Sequence, residues 1–208
     1  MSKEDLYISG IQDITKEDID FASEIGAKIK LICYAKKLNG DIYATVRPML
    51  VKNGNFLSEV SGTTNAVRIN NKYSGIHFLV GKGAGSTETA MSIVSDIVFI
   101  ARYGDKIQNI PVKQECNLAD PGKFVFPYLI TFHTGNLPGT TGFITTAIGN
   151  QGINIETVSH NRHSGEKAVF SVATTPCTFG QVENAIKEIR DQKPGMLLSG
   201  PKIMPILY

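Results

Sequence analysis

The sequence predicts an α+β protein: a mixed sheet with helices in the first half, then a ferredoxin-like βαββαβ unit. Three observations lead there. Alternating apolar runs flank Asn39-Gly40, a strong short-range hairpin signal. A broadly apolar helical pattern follows three closely spaced glycines, Gly81, Gly83 and Gly85. Beyond residue 123, strand and helix patterns come in the order β-α-β-β-α-β.

The first helix is predicted from Thr15, where Thr15 and Asp18 have capping-box spacing, Ile19, Phe21, Ala22 and Ile25 form the apolar side, and Gly26 ends it. From Ile29 the period changes to two. Ile29, Leu31, Cys33 and Ala35 alternate with Lys30, Ile32, Tyr34 and Lys36, and Ile42, Ala44 and Val46 answer after the Asn-Gly pair. The second strand runs to about Val51, with Pro48 expected at an edge or bulge because it cannot donate to a ladder. Phe56-Leu57 falls in a loop. Thr64–Ile69 and Tyr73–Val80 form another hairpin around Asn70-Asn71-Lys72, so about four strands are expected to share one sheet.

Ile76, Phe78 and Val80 lead into the glycine turn, and the helix over 86–102 follows it. Ser86 or Thr87 is the expected N-cap, with Glu88 in the positive first turn and Arg102 in the negative last turn. Apolar residues at 90, 91, 93, 94, 97, 98, 100 and 101 cover more than one stripe, which predicts burial on several sides. Strand, glycine turn and helix N-terminus together can hold a phosphate. The motif is incomplete, however. Lys82 lies between the first two glycines, and Ser86 stands where a dinucleotide fingerprint needs a third, more widely spaced glycine. A turn that reverses the chain is the better reading.

Residues 103–123 hold Gly104, Pro111, Pro121 and Gly122 with little periodicity and read as a linker. The domains expected are 1–108 and 123–208, joined by 109–122. The second comprises strand Phe124–His133, helix 139–150, strand Ile153–His160, turn 161–166, strand Lys167–Thr174, helix Thr178–Asp191 and strand Ile203–Leu207. Asn136-Leu137-Pro138-Gly139 opens its first helix, where Gly139 permits close backbone approach and the helix N-terminus favours a carboxylate. Asn136 either contacts a ligand or caps the helix. Asn154, between Ile153 and Ile155, either faces a polar pocket or satisfies local backbone.

Composition excludes several classes. Lys plus Arg number 21 against 19 Asp plus Glu, with no basic run longer than two, so no nucleic-acid footprint is present. Apolar stretches carry charges or are too short to cross a bilayer, and Met1-Ser-Lys-Glu-Asp-Leu does not read as a signal peptide. Cys33, Cys116 and Cys177 are odd in number, far apart and without metal-ligand spacing, which points to a reduced, cytoplasmic setting and no metal. His160 and His163 fall in a polar hairpin turn and read as solvated; His77 reads as half-buried packing. No Ser/His/Asp or Cys/His constellation stands out.

Several segments taken together resemble the C-terminal part of homoserine dehydrogenase. They are Gly10-Ile-Gln-Asp-Ile-Thr, Asp18-Ile-Asp-Phe-Ala-Ser-Glu-Ile-Gly-Ala-Lys-Ile-Lys-Leu, Val46-Arg-Pro-Met-Leu, Val60-Ser-Gly-Thr-Thr-Asn-Ala-Val, and Gly81-Lys-Gly-Ala-Gly followed by Thr89-Ala and Ser95-Asp-Ile-Val-Phe-Ile-Ala-Arg. Residues 124–208, with Leu137-Pro-Gly and Gly152-Ile-Asn-Ile-Glu, resemble an ACT domain, an amino-acid-sensing module often fused to that enzyme. The chain departs from the family at Lys82 and Glu88, where prolines are usual.

The resemblance implies that the first half is the family's dimerisation region, and that Gly81, Gly83, Ala84, Gly85 and Thr89 lie near the cofactor in the whole enzyme. It also implies that the dinucleotide-binding domain and the segment with the catalytic acid and lysine precede the matched part. This chain is therefore expected to lack both, to have no catalytic residues and no cofactor of its own, and to need NAD(P) only within the full-length family. Implied partners are a second copy or higher homo-oligomer, a threonine-like amino-acid effector at Asn136, Leu137, Pro138, Gly139, Thr140, Asn154 and Ile155, and a separate nucleotide-binding domain. The alternative is a free-standing ACT-type sensor or assembly protein that has lost the enzyme.

Overall fold

A computed structural model describes residues 6–106, 117–164 and 166–208. The chain forms two compact units: Met1–Asn55 with Cys116–Tyr208, and Phe56–Glu115.

The first unit begins with β1 (Tyr7–Ile8) and α1 (Lys16–Glu24). Thr15 and Asp18 close the expected capping box, each side chain accepting from the other's backbone N–H. Such a cap is worth about 1 kcal/mol. The hairpin β2 (Ala27–Leu38) and β3 (Asp41–Lys52) turns at Asn39 (φ 51°) and Gly40 (φ 97°), the paired positive φ values that the Asn-Gly sequence tolerates.

The expected strand from Phe124 is interrupted at Pro127, giving β6 (Val125–Phe126) and β7 (Tyr128–Gly135). Then follow α4 (Thr140–Asn150), β8 (Ile155–Ser164), β9 (Lys167–Thr174), the short β10 (Cys177–Thr178), α5 (Phe179–Gln192) and β11 (Lys202–Leu207). Thr178 caps α5 in a second capping box with Gln181. β8 runs through Ser164, which pairs with Lys167, so the turn expected at 161–166 is shorter than predicted.

The sheet order is β1-β3-β11-β7-β9-β8, with β2 on the hairpin side of β3. The four strands of the first half therefore do not share a sheet. β3 instead pairs with β11 in parallel, Leu50 and Val51 opposite Ile206 and Leu207. One unit boundary does fall within the expected linker at 109–122, between Glu115 and Cys116, but the hairpin lies in the same unit as residues 128–207 and shares their sheet. Leu118 bridges to Ile42, with Ile42 N–H donating to Asn117 C=O (2.8 Å) and Ala119 N–H to Ile42 C=O (2.9 Å).

Pro48 is not on an edge strand. Residues 42 and 46 hydrogen-bond away from β2, and alternate residues of a strand face the same flank. Pro48 thus turns its missing donor to that flank, in the gap between β1 at Thr45–Val46 and β11 at Leu50–Val51.

Period-two alternation sorts the core onto both faces. Ile130, Phe132 and Val172 meet Ile144 and Ile148 of α4 and Val182 and Ile189 of α5 on one face. Leu129, Leu50 and Met204 meet Phe21 and Ala22 of α1 on the other. Arg47, also buried, ties β3 to the C-terminal strand. Its Nη2 donates to Ile203 C=O (2.8 Å), and its guanidinium lies 4.3 Å from the Tyr7 ring centroid and 5.4 Å from that of Phe179.

The second unit holds α2 (Phe56–Glu59, a single helical turn where a loop was expected), β4 (Thr64–Asn71), β5 (Gly75–Lys82) and α3 (Ser86–Tyr103). β4 and β5 form a separate two-stranded sheet. Its turn lies two residues later than predicted, at Lys72-Tyr73-Ser74, because Gly75 (φ 77°) supplies the left-handed residue. The cap of α3 is Gly85 rather than Ser86 or Thr87, and no side chain bonds the helix start. No residue of α3 is buried, contrary to the expectation from its wide apolar face.

Candidate functional site

Two places were expected to carry chemistry: the glycine turn before α3 and the loop before α4.

In the first, Gly81, Gly83, Ala84, Gly85 and Thr89 are all exposed. Gly83 N–H donates to Thr63 C=O (2.7 Å), and Thr89 N–H to Gly85 C=O (3.0 Å), starting the helix. Gly85 has φ 140°, a conformation L side chains rarely adopt, and a Cβ there would collide with the Glu88 carboxylate. Glu88 folds back over the turn and pairs with Lys82, Oε1 to Nζ 2.6 Å. The Lys82 ammonium, and then Glu88's own backbone N–H, hold its carboxyl below the usual carboxylate range. The positive end of α3 thus already has an anion, supplied by the chain itself. A pyrophosphate at this turn would compete with the Glu88 carboxylate for the same helix end.

In the second, Asn136, Leu137, Pro138 and Gly139 are exposed and Thr140 is buried. Asn136 N–H donates to Glu166 C=O (2.8 Å), Leu137 N–H to Gly135 C=O (3.0 Å) and Thr140 N–H to Leu137 C=O (3.3 Å). Asn136 is not the N-cap residue of α4. The N-cap is Gly139, in the left-handed region at φ 82°, without a side-chain cap bond. A Cβ on Gly139 would meet nothing within 4 Å, so the glycine is required by backbone conformation rather than by crowding.

Asn154 is exposed and Ile155 half-buried; the Asn154 carbonyl accepts from Thr175 N–H (2.9 Å). The ladder does not bring these residues to the loop. Gly135 sits opposite Lys167 on β9, whereas Ile155 sits opposite Thr174. Seven residues of strand at about 3.4 Å each separate the two groups by roughly 24 Å. Within one chain they lie at opposite ends of the sheet.

Among the described residues, Cys177, Tyr43 and Tyr128 have raised pKa values, the opposite of what activates a nucleophile. Burial pushes the Cys177 thiol up, against a weaker opposing hydrogen bond from Thr174, and burial also raises the phenols of Tyr43 and Tyr128. His77 is exposed rather than half-buried, its Nε2 2.9 Å from Ser74 Oγ. The side chains of His160 and His163 lie outside the described residues. Among the described residues no cluster of three His, Cys, Asp or Glu could hold a metal, and no helix is long and apolar enough to cross a membrane.

Comparison with known proteins gives one consistent family. Residues 1–98 match the family model described as homoserine dehydrogenase. The homoserine dehydrogenase of Helicobacter pylori is 30% identical over 205 residues, covering 97% of this chain and 48% of that protein. The Neisseria gonorrhoeae homoserine dehydrogenase is 30% identical over 159 residues, 72% of this chain and 37% of its own length. Among solved structures, a homoserine dehydrogenase from Thiobacillus denitrificans matches with a TM-score of 0.84 at 24% identity, over 99% of this chain and 48% of that one. The S. aureus enzyme at pH 7.0 matches with a TM-score of 0.64 at 19% identity, over 100% of this chain and 49% of that one. At those identities the structural matches establish the fold. The chain is homoserine-dehydrogenase-like, and it spans about half the length of the curated relatives it matches.

Proposed function

We propose that this chain is the dimerisation and amino-acid-sensing portion of a cytoplasmic homoserine dehydrogenase, regulatory in role and without turnover by itself. The observation that carries the reading is the reach of the likeness. It extends beyond the 98 residues of the family match through 97% of the chain, and so includes the β-α-β-β-α-β region. We take residues 123–208 as the ACT-like effector part and residues 1–108 as the part that assembles, although the two share one sheet. The interconversion of homoserine and aspartate semialdehyde with NAD(P) belongs, on this reading, to a nucleotide-binding domain that partners the chain.

The effector is a small amino acid of threonine type. Asn136–Thr140 of one copy would meet its carboxylate or ammonium, and Asn154–Ile155 must come from a second copy, because one chain holds them at opposite ends of its sheet. Binding and dimerisation are therefore coupled. The Lys82–Glu88 pair over the glycine turn favours the second reading, a free-standing sensor or assembly protein that no longer docks a cofactor there.

Calorimetric titration of the 208-residue chain with threonine, methionine, lysine and isoleucine tests the proposal. One of them should bind below millimolar concentration, with apparent affinity falling when the protein is diluted. If none does, the sensing role fails and assembly alone remains. Steady NAD(P)H turnover by the purified chain would remove the non-catalytic part of the reading.

A further inference from the structure

A cavity of about 250 Å³ opens at the C-terminal end of α5, lined by Arg190, Lys193, Gly195, Leu197, Ser199 and Gly200. It lies in the segment that returns the chain from α5 to β11 and is distinct from both sites above. We propose that it binds a small dianion, a compact molecule with two carboxylates or one phosphate.

The charges carry the argument. Arg190 and Lys193 both line the cavity, and no carboxylate does. Neither cation has a carboxylate partner among the described residues. The Lys193 ammonium instead sits over the Phe143 ring, 5.6 Å from its centroid. The Arg190 guanidinium borders Gly200, whose Cβ position lies 3.8 Å from its Nη2. Ser199 contributes a hydroxyl, so the lining offers donors of three kinds with the guanidinium able to take an oxyanion bidentately.

The backbone around the cavity is fixed. Leu198 N–H donates to His133 C=O (2.8 Å), Leu197 bridges to Thr134, and Met196 N–H donates to Lys193 C=O (3.1 Å). Gly195 makes the turn at φ 84° with open space where a Cβ would be. These anchors place the cavity beside the last residues of β7, at the end of the sheet that also carries Asn136–Thr140. Two cations at a helix C-terminus also complement the helix dipole, which accounts for their presence on the helix but not for their convergence on a cavity. The volume suits a molecule the size of phosphate or succinate and is too small for a nucleotide.

The test is titration of the full chain, at low ionic strength, with succinate, inorganic phosphate and acetate, read by amide chemical shifts of residues 190–200 and by calorimetry. Succinate or phosphate should bind at least about 10-fold more tightly than acetate, since the second charge engages the second cation. Whichever of the two binds tighter identifies the oxyanion. Arg190→Gln and Lys193→Gln, both at exposed positions and checked for unchanged thermal unfolding, should each weaken binding about 10-fold or more, and Arg190→Lys should retain part of it. Equal affinity for acetate, equal displacement by chloride at matched ionic strength, or undiminished binding in both Gln variants would each overturn the proposal. So would the absence of any shift. Because a single copy contains the whole cavity, binding should be independent of protein concentration, which separates this result from the effector site that needs two copies.

Discussion

Phe132 and Ile97 occupy equally apolar sequence surroundings, yet one is fully buried and the other 60% exposed. Phe132 lies in β7 of the first unit, under α4 and α5 and against Phe170, ring centroids 5.3 Å apart. Ile97 lies in α3 of the second unit, where Met91, Val94, Val98 and Ile100 are exposed as well. Hydrophobic periodicity states that a face needs cover; it does not state what covers it. The first unit meets the need from within the chain, whereas the apolar residues of α3 in the second stay exposed.

Truncation sharpens the contrast. Phe132→Ala should cost about 3–5 kcal/mol in denaturant unfolding, the usual result of a cavity in a packed core. Ile97→Ala should cost less than about 0.5 kcal/mol in dilute protein, and any larger loss should grow with protein concentration, as expected for a face covered by a second copy. A large, concentration-independent cost at Ile97 would mean that α3 is buried within the chain.

A smaller effect is expected at the loop before α4. Gly139→Ala puts a Cβ on a left-handed residue but into open space, so thermal unfolding should report about 1–2 kcal/mol of backbone strain. If the loss reaches that of a core truncation, the loop is packed more tightly than its exposure indicates.

The smallest effect belongs to the glycine turn. Lys82→Ala should raise the midpoint of the Glu88 carboxyl titration, followed by NMR, toward its ordinary range, since the ammonium is the first cause of its depression. Glu88's folded pKa is lowered, so its pairing favours the fold above the ordinary carboxylate range and is lost as pH falls through the depressed value. On so exposed a pair, thermal stability should hardly change. An unmoved midpoint would show that the helix end alone holds the charge.

What was legible in the sequence was local. Thr15 with Asp18 and Asn39-Gly40 each satisfy backbone groups within four residues and appear where the spacing placed them, and the helix expected from Thr178 begins there. The order β-α-β-β-α-β was likewise readable from alternating periods. What was not legible depends on partners far away in sequence. Nothing near Leu50 announces that Ile206 will pair with it, so the hairpin was assigned to the wrong sheet. Asn136 and Asn154 were grouped by the likeness to an ACT domain, and only the strand registers show that within one chain the sheet's length separates them. Gly85 displaced Ser86 and Thr87 as the cap of α3 because a glycine can adopt the φ of 140° found there. Arg47 was read only within a motif; a charged residue between Val46 and Pro48 in an alternating strand was the available signal of its burial. Arg190 and Lys193, one helical turn apart before Pro194-Gly195, were the corresponding signal for the cavity.

On the proposed reading, the chain is an assembled portion of a homoserine-dehydrogenase-like protein, and another copy covers the apolar faces of its second unit. Light scattering on the purified chain at micromolar concentration tests it most directly. The account predicts a mass at least twice the 22.6 kDa of one chain, and a mass of 22.6 kDa, unchanged as concentration rises through the micromolar range, would contradict it.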